Sequence, residues 1–216
     1  MQKDFPYRLY LVTDEALCLG RDFFWMVEEA IKGGVDIVQL REKELDNEAF
    51  CKKAEKLKTL CDRYRVPLII NDAVNVAKMV SAHGLHVGQS DSSVEDAKEV
   101  LGKDYPVGLS LDKLSDLDNP QSKLAWYYGV SPVYSTPTKT DTLYEWGLEG
   151  LAILRKKTPK KLVAIGRVNI SNASEIISHG ADCLAVVSQI CSADSPAHAA
   201  ESFKKQIDKG LTQTTW

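Results

Sequence analysis

The 216-residue sequence contains no apolar run approaching the roughly 18 residues that a membrane-spanning helix requires. Its first residues, MQKDFPYR, also lack the apolar core of a signal peptide, so we expect neither secretion nor a membrane anchor. The five cysteines include no Cys-x-x-Cys pair, which argues against a zinc site. Free thiols in a reducing cytoplasm are the simplest interpretation.

The chain also lacks an excess of positive charge. Its 27 Lys and Arg residues and 30 Asp and Glu residues give a net charge of −3, which argues against a nucleic-acid-binding protein. Any anionic ligand must therefore be held by cations placed locally in its binding site. Because no linker or low-complexity tract interrupts the chain, we expect residues 1–216 to form one domain.

Short apolar runs alternate with longer amphipathic patterns along the chain. The runs are mostly continuously apolar, as in parallel strands that are covered on both faces. The predicted strands are Arg8–Val12, Asp36–Leu40, Pro67–Asn71, Gly84–Gly88, Pro106–Ser110, a strand within Trp126–Val133, Lys161–Gly166 and Cys183–Ser188. The predicted helices are Asp22–Lys32, Asp46–Arg65, Val74–His83, one from the Ser92–Glu95 capping pattern to Leu101, a short one around Asn119 and Pro120, Leu148–Lys156, Asn172–Gly180 and Pro196–Leu211.

This alternation predicts an α/β fold with a parallel sheet, and eight units favour a closed (β/α)8 TIM barrel. An open doubly wound sheet is the alternative. In a (β/α)8 barrel the active site lies at the C-terminal ends of the strands. In this sequence those ends are unusually polar, whereas the N-terminal ends carry no comparable set. The polar residues are Gln39, Arg41, Lys43, Asn71, Asp72, His86, Gln89, Asp91, Ser110, Thr136, Thr138, Lys139 and Ser188.

Taken singly, these residues have ordinary explanations. Arg41 and Lys43 could pair with neighbouring acidic residues at the surface, and Asn71 and Asp72 could cap a helix. We expect His86 to be a hydrogen-bonded residue near the core or a neighbour of a substrate, because no second histidine stands at metal-ligand spacing. Such explanations do not account for the convergence of all these groups on one end of the barrel.

The charges at this end predict a site for a metal-bound diphosphate. Asp72 and Asp91 are hard oxygen donors on adjacent strand ends, and Mg²⁺ is commonly held by one or two carboxylates together with phosphate oxygens and waters. Arg41, Lys43 and Lys139 supply cations.

A second, smaller anion site is predicted after strands seven and eight. Loops at these positions often hold a phosphate through backbone N–H groups. Gly166 and the Val187–Ser188 pair stand there.

Nine short strings carry a resemblance to a known family. YLVTD, QLREK, IIND, HVGQSD, GLS, TPTK, GLEGL, AIG and AVVS occur in the order found in thiamine-phosphate synthases, from Leu9 to about Ile190. Any one string is weak evidence, but the ordered set is specific. The sequence therefore resembles the thiamine-phosphate synthase (thiamine-phosphate pyrophosphorylase) family.

Members of that family are (β/α)8 barrels that use Mg²⁺ to join hydroxymethylpyrimidine diphosphate to a thiazole phosphate, with release of diphosphate. The carbon–oxygen bond of the pyrimidine substrate breaks first, so no nucleophilic side chain is needed. This agrees with the absence of a Cys-His or Ser-His signature. The resemblance implies pyrimidine-diphosphate contacts by Gln39, Leu40, Arg41, Glu42, Lys43, Asn71, Ser110 and Lys139, magnesium binding by Asp72 and Asp91, and thiazole-phosphate contacts by Thr136, Thr138, Gly166, Val187 and Ser188. Arg41, Lys43, Ser110 and Lys139 would be the catalytic members.

Three places depart from the family pattern. Arg167 stands where a second glycine is usual, and it either crowds the small phosphate site or adds a guanidinium group to it. Tyr144–Trp146 form a bulkier loop, and Asp182-Cys183 replaces the common Asp-Gly.

Three other functions remain open: a thiazole tautomerase of the same barrel family, a non-catalytic phosphate-ligand sensor and a sugar-phosphate isomerase. The complete diphosphate set favours the synthase, two anion sites would be surplus for a sensor, and an isomerase would need an acid–base pair that we do not find. The partners expected are small-molecule substrates, without nucleic acid or membrane, and a homo-oligomer is left open.

Overall fold

The computed structural model describes residues 4–135 and 145–214. Eight parallel strands form a closed barrel in chain order. Each strand pairs with the next, and the last pairs with the first through Leu11 and Val186. The strands are β1 (Leu9–Val12), β2 (Ile37–Leu40), β3 (Leu68–Asn71), β4 (Gly84–Val87), β5 (Val107–Leu111), β6 (Tyr128–Val130), β7 (Leu162–Ala164) and β8 (Cys183–Val186). The predicted TIM barrel is confirmed, and the open doubly wound sheet is wrong.

Helices surround the barrel, and most follow the predicted pattern. A short helix after the last strand, Ser188–Cys191, was not predicted, and it includes Ser188, which had been assigned to that strand. They are α1 (Phe23–Lys32), α2 (Asn47–Tyr64), α3 (Val74–Met79), α4 (Val94–Leu101), α5 (Pro120–Leu124), α6 (Gly147–Lys157), α7 (Ala173–Ser178), α8 (Ser188–Cys191) and α9 (Pro196–Leu211). Two 3₁₀ segments, Ala16–Cys18 and Leu114–Asp118, complete the connections.

Side-chain caps explain where several helices begin. Asp22 and Asp46 accept hydrogen bonds from backbone N–H groups three residues later, at 2.7 and 2.8 Å. The predicted Ser92–Glu95 capping pattern is wrong by one residue, since Ser93 Oγ accepts from Asp96 N at 3.0 Å. Both serines offer the same hydroxyl, and only the path of the chain decides which one reaches the helix.

The alternation of side chains along each strand creates two cores. Residues such as Leu9, Leu11 and Leu40 point outward and are buried against the helices. Inward-pointing residues such as Tyr10 and Ile69 fill the barrel. Burial on both faces is the reason that the strands read as continuous apolar runs.

An aromatic cluster closes the N-terminal end of the barrel. The Phe5 ring lies 5.0 Å from the Trp126 ring and 4.9 Å from the Tyr127 ring, measured between centroids. Edge-to-face and tilted contacts of this kind stabilise beyond the area they bury. With this end filled, the opposite end of the barrel is the one that remains open to a ligand.

All five cysteines are buried free thiols, which confirms the prediction for their state. Burial raises the pKa of Cys61 and of Cys191 to about 12, so neither is a reactive thiolate near neutral pH. In the described part of the chain, no helix combines the length and the apolar character that crossing a membrane would take.

Candidate active site

A cavity of about 880 Å³ opens at the C-terminal ends of the strands. All eight strands or the loops that follow them contribute to its walls. The structure brings most of the predicted site residues to this one cavity: Gln39, Arg41, Lys43, Asn71, Asp72, Asp91, Ser110, Gly166, Val187 and Ser188. The convergence expected from the polar strand ends is therefore present.

Two predicted substrate contacts lie elsewhere. Leu40 is fully buried in the outer core, between the barrel and the helices. Glu42 forms an ion pair with Lys53, and both side chains are about nine-tenths buried. The strand alternation that brings Gln39 into the barrel turns Leu40 away from it. Thr136, Thr138 and Lys139 lie outside the described residues, as does Tyr144.

The two predicted metal ligands are held close together at the ends of β3 and β4. Asp72 Oδ2 accepts from Lys43 Nζ at 2.7 Å and from Asn71 Nδ2 at 2.6 Å. Asp91 Oδ2 accepts from the backbone N–H of Gly88 at 2.8 Å. Burial raises the pKa of Asp72, the hydrogen bond from Lys43 lowers it, and the neighbouring Asp91 carboxylate raises it again.

This pair of carboxylates fits a hard divalent cation. Two like charges in contact raise the free energy of the ionised pair, and a cation between them would relieve that repulsion. Within the described ranges, no group of three or more His, Cys, Asp and Glu residues could hold a metal ion. Ligand oxygens and waters would therefore have to complete the coordination of Mg²⁺, which is its usual arrangement at phosphate sites.

Asp72 has an unusual backbone conformation. Its φ angle is +60°, in the left-handed region, which aspartate adopts more readily than most residues with a side chain. Its backbone N–H donates to the carbonyl of His86 at 2.8 Å, which fixes the turn after β3 against β4. The left-handed conformation of Asp72 and its bond to the neighbouring strand together place the carboxylate at the edge of the cavity.

Three cationic side chains from the described residues line the cavity: Arg41, Lys43 and Arg167. The backbone N–H of Arg41 donates to Thr13 Oγ1 at 3.3 Å, which links the ends of β1 and β2. The side chain of Lys43 is half exposed, so its ion pair with Asp72 can rearrange when an anion binds.

The small phosphate site was predicted after β7 and β8, and its residues lie together in the same cavity. Gly166 has a φ of +109°, and a methyl group there would come within 2.6 Å of Pro132 Cβ and 2.9 Å of Tyr134 O. Only glycine fits this position. No side chain therefore covers the Gly166 backbone where it lines the cavity. Val187 and Ser188 lead from β8 into α8.

Arg167 has a left-handed backbone conformation, which glycine adopts freely. Its φ is +49°, and its side chain is exposed. The carbonyl of Arg167 accepts from Asn169 Nδ2 at 3.2 Å and from Asn172 Nδ2 at 3.0 Å, which holds the turn. Asn172 thus stands at the start of α7 without capping it through its side chain.

The bulky residues before α6 have structural roles. Glu145 Oε2 accepts from the Ser135 backbone N–H and hydroxyl at 2.8 and 2.5 Å. These bonds, followed by the charge of Arg167, lower the pKa of Glu145. Trp146 is buried, and its Nε1 donates to the carbonyl of Leu111 at 3.1 Å. The departure at 145 and 146 therefore anchors the start of α6.

Sequence reasoning missed the floor of the cavity. Tyr10 and Tyr127 are fully buried inside the barrel, and both line the cavity. Tyr127 OH lies 2.9 Å from His86 Nδ1, so the expectation of a hydrogen-bonded His86 near the core is confirmed. The available signal was weak, since tyrosine is common in strands and only the register shows which ones meet.

Comparisons with known proteins agree with this geometry. The sequence profile of the TMP-TENI family, described as Thiamine monophosphate synthase, matches residues 9–190. The chain is 45% identical over 201 residues to the Thiamine-phosphate synthase of Albidiferax ferrireducens, covering 93% of this chain and 92% of the relative. It is 41% identical to the Thiamine-phosphate synthase of Clostridium acetobutylicum, covering 98% of this chain and 100% of the relative.

Solved structures show the same relationship. A Thiamine phosphate pyrophosphorylase from Pyrococcus furiosus superposes with a TM-score of 0.86 at 30% identity, over 95% of this chain and 98% of that one. A 3-Hexulose-6-Phosphate Synthase superposes with a TM-score of 0.67 over 93% of this chain and 99% of that one. At 15% identity the second similarity shows the barrel fold alone.

Proposed function

The chain belongs to the thiamine monophosphate synthase family, and from this membership we propose that it condenses hydroxymethylpyrimidine diphosphate with a thiazole phosphate to give thiamine phosphate and diphosphate. As a member of this family it is a transferase of thiamine biosynthesis. One observation carries the finer proposal. A carboxylate pair, cations and a glycine turn, the parts required by two anionic substrates, line a single cavity.

The diphosphate half of the site is assigned to the ends of β2, β3 and β4. Asp72 and Asp91 would hold Mg²⁺, which when bound supplies positive charge to the diphosphate. Arg41 and Lys43 line the same cavity and would add positive charge beside the same oxygens. The ion pair between Lys43 and Asp72 keeps the lysine near the metal site before any substrate arrives.

The chemistry requires stabilisation of a leaving group more than it requires a nucleophile. The bond between the methylene carbon and the diphosphate oxygen breaks, and its electron pair leaves with the diphosphate. The carbocation that remains is stabilised by the amino group of the pyrimidine ring. Cations placed in advance around the departing oxygens lower this barrier, because they need no reorganisation as the negative charge develops.

The second substrate completes the reaction. The lone pair of the thiazole nitrogen forms the new bond to the methylene carbon. Gly166, Val187 and Ser188 would hold the phosphate of this substrate through backbone N–H groups and the serine hydroxyl. Thr136, Thr138 and Lys139, outside the described residues, keep the substrate roles that the family resemblance implies.

The barrel also limits access of water to the carbocation. Its N-terminal end is filled by Phe5, Trp126 and Tyr127, so the cavity is closed below. Among the described residues, the cavity opens at the end where the substrates bind, so water would enter from that side. Two substrates stacked at that end would displace it.

Product formation tests the proposal. Purified protein, both substrates and Mg²⁺ are incubated together, and thiamine phosphate and diphosphate are measured. We expect equal amounts of the two products. Isomerisation of a thiazole phosphate without condensation would identify a tautomerase instead, and binding without turnover would identify a ligand sensor.

A further inference from the structure

A continuous chain of hydrogen bonds crosses the floor of the cavity. Gln39 Nε2 donates to Tyr10 OH at 2.9 Å, and Tyr10 OH lies 3.1 Å from Tyr127 OH. Tyr127 OH lies 2.9 Å from His86 Nδ1, and His86 Nε2 lies 3.0 Å from Ser110 Oγ. The chain therefore joins Gln39 on β2 to Ser110 on β5, two residues that were predicted to contact the same substrate.

The direction of these bonds follows from the orientation of the Gln39 amide and from the need of each buried phenol proton for an acceptor. The amide nitrogen of Gln39 can only donate, so Tyr10 accepts from it. Tyr10 then donates its own hydrogen bond to Tyr127 OH, the other partner within reach of its buried hydroxyl. Tyr127 then donates to His86 Nδ1, which places the imidazole proton on Nε2, where it is donated to Ser110. In this direction the protons of both phenols find acceptors within the network.

Burial keeps both phenols in the protonated form that the chain needs. Tyr10 and Tyr127 are almost completely inaccessible to solvent, and burial raises the pKa of each well above its ordinary value. Neither can ionise near neutral pH. The chain therefore changes direction only if all of its protons and the Gln39 amide turn together.

Two glycines make room for the chain. A methyl group at Gly108 on β5 would overlap the ring of Tyr127. A methyl group at Gly129 on β6 would lie 3.0 Å from His86 Cε1 and 3.6 Å from Ser110 Oγ. Glycine within a strand costs about 0.5–1 kcal/mol relative to alanine, so both strands give up intrinsic stability to accommodate the ring and the imidazole.

The chain leaves a defined pattern at its two ends. With one N–H of Nε2 donated to Tyr10, the Gln39 amide keeps Oε1 as an acceptor and its second N–H as a donor. Ser110 accepts from His86, so its hydroxyl proton remains as a donor. A ring between them is thus offered an acceptor and a donor by the Gln39 amide and a further donor by Ser110, which suits an exocyclic amino group and ring nitrogens.

We propose, building on the proposed function, that Tyr10, Tyr127 and His86 are positioning residues that link the orientation of the Gln39 amide to the direction of the hydrogen bond at Ser110. This link selects an aminopyrimidine over its oxo analogue. The analogue presents a carbonyl where the amino group was, and a protonated ring nitrogen where the acceptor was. To pair with the analogue, the Gln39 amide must turn over and every hydrogen bond in the network must reverse. Without that reversal, the bound analogue leaves polar groups unpaired.

Tyr127→Phe is the central variant, because it removes one hydroxyl and retains the buried ring. Tyr128→Phe is its matched control: the neighbouring tyrosine is also buried, but its hydroxyl donates to Ser122 O at 2.9 Å, outside the chain. Tyr10→Phe interrupts the chain on the other side of Tyr127 and provides a second, independent break.

The first measurement needs no substrate. Correlation spectra of ¹⁵N-labelled imidazoles at about pH 8.5, above the ordinary histidine pKa, report which ring nitrogen carries the proton. The His86 signal is assigned by its loss in His86→Gln. We expect the Nε2–H form in the wild type and in Tyr128→Phe, and a mixture of forms in Tyr127→Phe. A wild-type Nδ1–H form would overturn the assigned direction.

The second measurement is calorimetric binding of the aminopyrimidine diphosphate and its oxo analogue, with Mg²⁺ present. We expect the wild type and Tyr128→Phe to prefer the amino compound, and the preference to fall about 10-fold or more in Tyr127→Phe and Tyr10→Phe. Affinity for the thiazole phosphate should stay unchanged in all four proteins. An unchanged preference for the amino compound in both Tyr127→Phe and Tyr10→Phe would overturn the proposed role of these residues in selectivity and leave the proposed function untouched. A wild type that binds neither pyrimidine would overturn the proposed function with it.

Discussion

Arg167→Gly should separate the stability of the fold from the affinity of the site. Arg167 holds a φ of +49°, a conformation that costs a residue with a side chain about 1–2 kcal/mol. Glycine adopts it freely but loses about 0.5–1 kcal/mol of additional entropy on folding. The net expectation is a gain of about 0.5–1 kcal/mol in the free energy of unfolding, or roughly 1–4 °C in Tm for a chain of this length.

The same substitution should weaken the binding of thiazole phosphate. Arg167 lines the cavity next to Gly166, and its exposed side chain does not fill the turn. Of the two interpretations of this departure from the family pattern, the structure therefore favours an added guanidinium group. One charge-assisted contact at a solvent-accessible site corresponds to about 1 kcal/mol, or roughly a 5-fold loss of affinity.

Two variants separate these effects. Arg167→Gln removes the charge but retains the strained backbone, so it should lose affinity without gaining stability. Arg65→Gly relieves a similar strain, φ +58°, at the C-terminal end of α2, so it should gain stability and leave affinity unchanged. Urea unfolding and calorimetry measure the two quantities. A stability gain absent from both glycine variants would refute the strain argument, and tighter binding by Arg167→Gly would show that the side chain crowds the phosphate.

Three further predictions follow from other contacts. Arg41→Ala should raise the KM for the pyrimidine diphosphate about 10-fold or more and leave that for the thiazole phosphate nearly unchanged; equal losses in steady-state kinetics would contradict its assignment. Asp182→Asn should lower the free energy of unfolding in urea by about 3–5 kcal/mol, because buried Asp182 accepts from Arg155 Nη1 at 2.8 Å and asparagine removes the negative charge that faces this buried guanidinium; a loss under 1 kcal/mol would contradict this. Above pH 9 the unfolded chain releases thiol protons that the fold retains on Cys61 and Cys191, whose pKa is raised to about 12, so stability should fall with rising pH, by about 1.4 kcal/mol per thiol at pH 10. Cys61→Ala should lose its share of that slope, and an unchanged slope would remove this thiol from the explanation.

The barrel could be predicted from the sequence because its signals are local. Each strand is a short apolar run, each helix has its own periodicity, and closure follows from the number of units. The same logic placed the polar strand ends at one cavity. It failed at single positions where two residues offer the same chemistry, as for Ser92 and Ser93 at the start of α4.

The floor of the site could not be predicted because its contacts are long-range. Tyr10 and Tyr127 are separated by 117 positions, and only the closed register brings their hydroxyls within 3.1 Å. The predicted substrate contact of Leu40 stays a prediction, because the structure shows only that its side chain lies in the outer core. A family motif was carried over as a continuous stretch, whereas the alternation of the strand turns every second side chain away from the cavity.

Diphosphate release by Asp91→Ala, with both substrates and Mg²⁺ present, tests the central claim most directly. Asp91 Oδ2 also accepts a hydrogen bond from the Gly88 backbone at 2.8 Å, so a urea unfolding curve on the same sample must show that the variant is folded. The account predicts magnesium-dependent release by the wild type and its loss in the folded variant. Undiminished magnesium-dependent release by the variant would contradict the assignment of Asp91 to the metal site and, with it, the proposed organisation of charge around the leaving diphosphate.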